Sequence, residues 1–157
     1  MQVNARLDYA LRAVIEVARS ETVVRKKELS ERQDIPERFL EQILAQLVRS
    51  GILLGTRGPQ GGYGMARPPE RVAVADVVRA IDGPLAAVRG LPPEDAEYPE
   101  SAAVLRDLWV ALRASIRSVL EETTIADLAQ GRLPEDLHDL LDAPDAWRRR
   151  GRDADER

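Results

Sequence analysis

The chain of 157 residues is 44% hydrophobic and 32% charged with a formal net charge of −4, which is typical of a globular protein of one or two domains. It contains no cysteine and one histidine, which excludes disulfides, thiolate metal sites, thiol catalysis and a multi-histidine metal site within one chain. Because no apolar run has the length of a membrane span and the start lacks a signal-peptide core, we expect a cytoplasmic protein without a membrane partner.

The first 50 residues contain three helical patterns. Apolar residues recur every three or four positions over residues 7–18, which predicts an amphipathic first helix. Residues 26–32 predict a short second helix, with Leu29 facing inward. Pro36 fits the first position of a third helix, where its missing N–H costs nothing, and Gly51 would close that helix.

A glycine-rich loop, RGPQGGY at residues 57–63, follows the third helix. Its glycines and proline predict a tight turn whose backbone can approach a partner closely, and residues 52–54 and 64–66 can pair as the strands of a hairpin. The glycines could serve the turn alone, and the loop lacks the Lys-Ser/Thr of a nucleotide-binding P-loop. Two helices followed by a basic, glycine-tipped hairpin are typical of a winged helix-turn-helix, a DNA-binding module.

The third helix would then be the one that enters the major groove. Phe39, Leu40, Ile43 and Leu44 are predicted to hold it to the body, which leaves the polar residues between them exposed. These polar residues could form an ordinary solvated helix face, but beside the hairpin we interpret them as readers of DNA. Side chains at base edges, phosphates and the minor groove make up the predicted contact set: Arg25, Lys26, Lys27, Arg38, Glu41, Gln42, Arg57, Gly58, Gln60, Gly61, Gly62 and Tyr63.

The charge is unevenly placed along the chain. Residues 1–83 contain 13 Lys/Arg against 11 Asp/Glu, a net of +2, and residues 84–157 contain 10 against 16, a net of −6. Residues 43–67 contain three arginines and no acid. Because screening confines electrostatics to about 10 Å at 0.1 M salt, the acidic half can face away from DNA.

The second half of the chain predicts a separate assembly unit. Residues 74–81 predict a fourth helix, which ends a DNA-binding domain of residues 1–83. Residues 84–99 contain four prolines and predict either a linker or a loop folded over a subunit interface. A long helix over residues 101–122 and a short one over residues 124–130 predict a dimerisation unit of residues 100–132, and residues 133–157 predict a flexible tail. The long helix has a heptad-like seam that predicts the dimer interface: Leu105, Trp109, Leu112, Ile116 and Val119. Trp109 could instead stack a planar effector beside Arg113 and Tyr98.

The chain resembles a known family of bacterial regulators. Five segments match that family in order: residues 8–13 (DYALRA), 39–44 (FLEQIL), 51–53 (GIL), 57–63 (RGPQGGY) and 77–83 (VVRAIDG). Together they are similar to the IscR/NsrR/CymR class of winged-helix regulators, the Rrf-type family, and residues 124–128 (TIADL) resemble its closing helix.

The resemblance implies a homodimer whose long helices cross at the two-fold axis and which binds a pseudo-palindromic operator. It implies DNA-reading roles for Arg38, Glu41 and Gln42, and for Arg57 in the wing. Many members hold an iron–sulfur cluster with three cysteines before and within the long helix, and this chain has none. A family variant with an acid and a histidine in the first helix is not matched either, since Asp8 is present but Arg12 replaces the histidine.

We therefore predict a mainly α-helical, winged helix-turn-helix transcription regulator, most simply a repressor, that acts as a homodimer without metal or cofactor. The alternatives are a module whose wing and third helix bind a protein, and a regulator that responds to an unidentified small molecule or partner protein. No catalytic constellation can be argued from residue spacing, so we expect no enzyme.

Overall fold

The computed structural model describes residues 3–148. They form a mainly α-helical structure with one two-stranded antiparallel hairpin, and short 3₁₀ turns connect several elements. The main elements, in chain order, are α1 (Ala5–Ala18), α2 (Lys26–Gln33), α3 (Glu37–Arg49), β1 (Leu53–Thr56), β2 (Gly62–Met65), α4 (Val74–Asp82), α5 (Val104–Leu120), α6 (Ile125–Ala129) and α7 (His138–Asp142). Among residues 3–148, no helix combines the length and the hydropathy that crossing a bilayer requires.

The N-terminal helices follow the predicted periodicity closely. The side chain of Asn4 caps α1 by accepting a hydrogen bond from the backbone N–H of Leu7 at 2.8 Å, which satisfies an amide that the helix itself leaves unpaired. Leu29 is the buried residue of α2, as predicted. Helix α3 begins one residue later than predicted, because Pro36 occupies the capping position with extended backbone geometry.

Phe39, which was predicted to help hold α3 to the body, is not buried. It is 43% exposed, whereas Leu40, the next residue along the helix, is fully buried. Consecutive residues lie about 100° apart around a helix, which turns Phe39 away from the stripe that Leu40 belongs to. The ring lies 6.3 Å from that of Tyr9, and the guanidinium of Arg38 lies 4.8 Å above it.

The hairpin is longer toward its tip than predicted. Strand β1 pairs with β2 from Leu53 opposite Met65 to Thr56 opposite Gly62, so Gly62 and Tyr63 lie in a strand and not in the loop. A third segment supports β2, because Val24 and Tyr63 exchange backbone hydrogen bonds of 2.9 and 2.8 Å. This pairing between two distant parts of the chain gives the wing a fixed place beside α2.

The chain returns to the first domain after α5. The backbone N–H of Val74 donates to Thr123 at 2.9 Å, and that of Ile125 donates to Val72 at 2.8 Å. Ile125 is fully buried in the same core as the residues of α1, and α6 packs on α1. Helix α6 therefore belongs structurally to the winged-helix core, although it follows the long helix in sequence.

Two segments that were predicted to be irregular have local structure. In the linker, the 3₁₀ turn Pro93–Asp95 packs against α5, and Ala96 is buried. In the expected tail, a 3₁₀ turn precedes α7, and Leu137 is buried. Residues 149–157 of that expected tail lie outside the described residues.

Candidate nucleic-acid interface

A groove of about 700 Å³ lies between the C-terminal half of α3, the start of α2 and the hairpin. The side chains that line it, all within residues 3–148, include four cations and no carboxylate. The cations are Arg25, Lys26, Arg49 and Arg57. Three of them were predicted to contact DNA, and Arg49, at the end of α3, was not. The acid-free run of residues 43–67 was the sequence signal that could have identified Arg49.

The exposed face of α3 presents the predicted reading residues. Arg38, Glu41 and Gln42 are all exposed, one turn or less apart. Gln42 has no hydrogen-bond or ion-pair partner within residues 3–148, so both its amide oxygen and its amide nitrogen are available to a base edge.

Lys26 is tied to the same face. Its Nζ lies 3.6 Å from a carboxylate oxygen of Glu37 and 3.5 Å from one of Glu41. Exposed ion pairs of this kind contribute about 0–1 kcal/mol, so a phosphate can compete for the lysine. Lys27 lies outside the groove and pairs with Glu31 at 3.8 Å, so the structure does not bring it to the other cations.

Arg25 connects α2 to the tip of the wing. Its Nη2 donates to the carbonyl oxygen of Pro59 at 3.0 Å, and its backbone N–H donates to the Glu28 carboxylate at 3.0 Å. The guanidinium therefore holds the wing loop against α2 while it lines the groove. Arg57, by contrast, is exposed and has no ion pair within the described part of the chain.

The wing glycines are explained by the hairpin itself. Gly58 has φ of +110°, which favours glycine, and a Cβ on Gly61 would lie 2.2 Å from the carbonyl oxygen of Thr56. Gly62 is buried against the backbone of Val24, and the ring of Tyr63 packs against the core. Of the predicted wing contacts, Arg57 and Gln60 are the exposed residues with long side chains.

The predicted dimer seam on α5 is only partly exposed. Leu112 is exposed, while Leu105, Trp109, Ile116 and Val119 are half-buried. The indole Nε1 of Trp109 donates to the Tyr98 hydroxyl at 3.0 Å, so this side chain faces the preceding loop of its own chain. The exposed apolar face of α5 also includes Val104 and Leu108, which the seam drawn through Trp109 omitted.

Solved structures and curated relatives with the same organisation are bacterial regulators. The structure of CymR of Bacillus subtilis, titled as the global cysteine regulator of that organism, matches with a TM-score of 0.70 at 29% identity and covers 83% of this chain and 98% of that one. The structure of T. potens IscR matches with a TM-score of 0.68 at 29% identity over 83% of this chain and 88% of that one. These matches confirm the predicted winged-helix fold.

The sequence relatives agree with the structural ones. A protein of Mycobacterium tuberculosis (strain H37Rv), whose name proposes an HTH-type transcriptional regulator, is 46% identical over 144 residues, which are 90% of this chain and 89% of the relative. The HTH-type transcriptional regulator CymR of Bacillus subtilis is 30% identical over 131 residues, which are 82% and 90% of the two chains.

A family model described as "Rrf2: Iron-dependent Transcriptional regulator" matches residues 3–131. The sequence does not fit the iron-dependent part of that description, because it offers no cysteine and only one histidine as donors for iron. Within residues 3–148, no group of three or more His, Cys, Asp or Glu side chains is arranged to hold a metal ion. The helix-turn-helix and hairpin of the structure fit the transcriptional-regulator part of that description. The chain therefore belongs to the Rrf2 family of transcriptional regulators, as predicted, and to its DNA-binding HTH class.

Proposed function

We propose that the chain is a homodimeric repressor that reads a pseudo-palindromic operator with α3 and the wing, in the cytoplasm of a bacterium. The groove between α3 and the hairpin carries this proposal, since it is lined by four cations and no acid, and Gln42 is exposed on the same α3 helix. Cations release counterions from the DNA backbone, and the exposed amide of Gln42 supplies sequence discrimination.

The dimer is supported by the exposed apolar face of α5. Val104, Leu108 and Leu112 are large and exposed on one side of a 17-residue helix. Burying one such side chain contributes about 1.5–3 kcal/mol, so a second copy that covers this face would associate stably. A two-fold dimer would also match the symmetry of a palindromic operator, because each subunit would present one α3 to one half-site.

Binding-site selection from a random duplex library tests the proposal, because the selection itself identifies the operator sequence. The full chain should enrich one inverted repeat, and fluorescence anisotropy should then show tighter binding to this duplex than to a scrambled one. The four groove cations of each subunit would neutralise about eight phosphates in a dimer, so log K should fall with log salt at a slope of about −7 from these contacts.

The result also separates the alternative in which the wing and α3 bind a protein. A protein interface would give no enriched repeat, and duplex binding would be weak at physiological salt and equal for all sequences. Repression itself is tested by placing the enriched repeat across a promoter, where the full chain should lower transcript yield. An increase in transcript would identify an activator and contradict the repressor assignment.

A further inference from the structure

A second cavity, of about 410 Å³, lies between α4, the loop that follows it and α5. Its size falls within the usual range of small-molecule sites, about 300–1,000 Å³. Three arginines reach it from two helices: Arg79 from α4, and Arg113 and Arg117 from α5. Leu85, Leu91 and Pro92 supply an apolar wall. The cavity is separate from the DNA groove, since the two share no lining residue.

Arg113 is the least exposed of these arginines. Its side chain is 14% exposed, and its guanidinium pairs at 2.5 Å with Glu94, whose own side chain is 53% exposed. The hydrogen bond from Arg113 is the main reason that the pKa of Glu94 lies below its ordinary value, and the charge of Arg117 adds to the effect. Glu94 therefore acts as an internal counter-ion for Arg113 in this cavity.

The other two arginines share one acid. Arg79 forms an ion pair with Glu121, and Arg117 lies 3.6 Å from the same carboxylate. Arg79 also lies 3.9 Å from Asp76. Three guanidinium groups thus face three carboxylates, those of Asp76, Glu94 and Glu121, of which Glu94 and Glu121 are exposed to solvent. Because Glu94 and Glu121 reach solvent, a ligand carboxylate or phosphate can replace either acid and leave the displaced carboxylate in water.

We propose that this cavity binds a small organic anion with at least two acidic groups, either carboxylates or phosphates. One group takes the place of the Glu94 carboxylate on Arg113, where a planar guanidinium can bind it through two parallel hydrogen bonds. A second group lies between Arg79 and Arg117, and the hydrocarbon part of the ligand contacts Leu85 and Leu91. Because Arg79 is in the winged-helix domain and Arg113 is in α5, the bound anion would connect the two. A role of the anion as an effector of DNA binding rests on the proposed function, whereas the binding of the anion to the cavity does not.

Isothermal titration calorimetry of the full chain without DNA tests the site. The probes are citrate and inorganic pyrophosphate, each titrated at constant ionic strength, with acetate as the singly charged comparison. We expect saturable binding of at least one of the two probes, with one site per chain and a Kd below about 1 mM, and at least tenfold weaker binding of acetate. Preference for citrate or for pyrophosphate identifies a carboxylate or a phosphate ligand.

Three variants make the result specific. Arg113→Gln should weaken binding at least tenfold, and Arg106→Gln, an exposed arginine of the same helix outside the cavity, should leave it unchanged. Glu94→Gln removes the internal competitor, so affinity should rise several-fold, a gain that a misfolded variant cannot show. The proposal is overturned if neither probe binds, if Arg106→Gln weakens binding as much as Arg113→Gln, or if Glu94→Gln lowers the affinity. Operator binding by the same variants is measured separately, so a negative result here leaves the proposed function standing.

Discussion

A single added methyl group at Gly62 should destabilise the protein measurably. A Cβ atom there would lie 2.8 Å from the carbonyl oxygen of Val24 and 2.9 Å from its carbonyl carbon, and a change of rotamer cannot relieve a clash with backbone atoms. Val24 is held in place by its two backbone hydrogen bonds with Tyr63. Overpacking of this kind costs about 1–3 kcal/mol, and we expect Gly62→Ala to lower the free energy of unfolding by that amount.

Gly64 offers a matched control two residues later in the same strand. A Cβ there would meet only a side-chain carbon of Val23, at the ordinary contact distance of 3.7 Å. Gly64→Ala should therefore leave the stability unchanged, or raise it by about 0.4–1 kcal/mol because alanine restricts the unfolded chain. Urea unfolding followed by circular dichroism, at one protein concentration, measures both variants. Equal midpoints for Gly62→Ala and Gly64→Ala would refute the close approach of β2 to the segment before α2.

Four further predictions, one of them with a control variant, test the interface, the dimer and the fold. Gln42→Ala should weaken binding to the enriched duplex by about 1–3 kcal/mol per half-site and leave scrambled duplex nearly unchanged, since it removes a base contact; equal losses on both duplexes would exclude that role. Arg49→Ala should weaken binding to all duplexes alike in anisotropy titrations and reduce the salt slope by about 0.9 per subunit, whereas Lys27→Ala, outside the groove, should leave the slope as it is. Leu112→Asp should give monomers in light scattering, because it places a charge on the exposed apolar face of α5. A wild-type protein that is itself monomeric at micromolar concentration would contradict the proposed dimer. The hydrogen bonds from Thr124 lower the pKa of the Asp127 carboxyl in the folded protein. The stability that this carboxylate contributes is therefore present above the unfolded pKa of about 3.9 and is lost as the pH falls through the lower folded pKa. Asp127→Asn should flatten the dependence of stability on pH in that acidic range, and an unchanged dependence would show that the carboxylate contributes nothing.

The sequence was sufficient for the parts of the fold that depend on local chemistry. The three- and four-residue spacing of apolar residues predicted α1 and α3, and the RGPQGGY loop predicted the wing, because helix periodicity and turn chemistry involve neighbouring residues only. The absence of cysteine showed from the sequence alone that an iron–sulfur cluster does not fit this chain.

Sequence patterns did not decide which neighbours two aromatic side chains would contact. Phe39 was predicted to help hold α3 to the body, but its direction on the helix leaves it 43% exposed beside Tyr9. Trp109 was predicted to lie in the dimer seam, with the stacking of an effector beside Tyr98 as the alternative, and its indole N–H donates to the Tyr98 hydroxyl in the preceding loop. Local periodicity cannot predict such a choice, since it contains no information on which distant segment supplies the partner.

The tertiary structure alone decided which cations share a surface. Lys26 and Lys27 are adjacent in sequence and were predicted to play the same role, but Lys26 lines the groove beside Glu41 whereas Lys27 pairs with Glu31 outside it. The cavity of Arg79 and Arg113 is a similar case, because these arginines lie on different helices and meet only when α5 packs beside α4. The sequence determines which side chains carry charge, but long-range packing determines which of those charges face one another, because that geometry depends on contacts between segments that are distant along the chain.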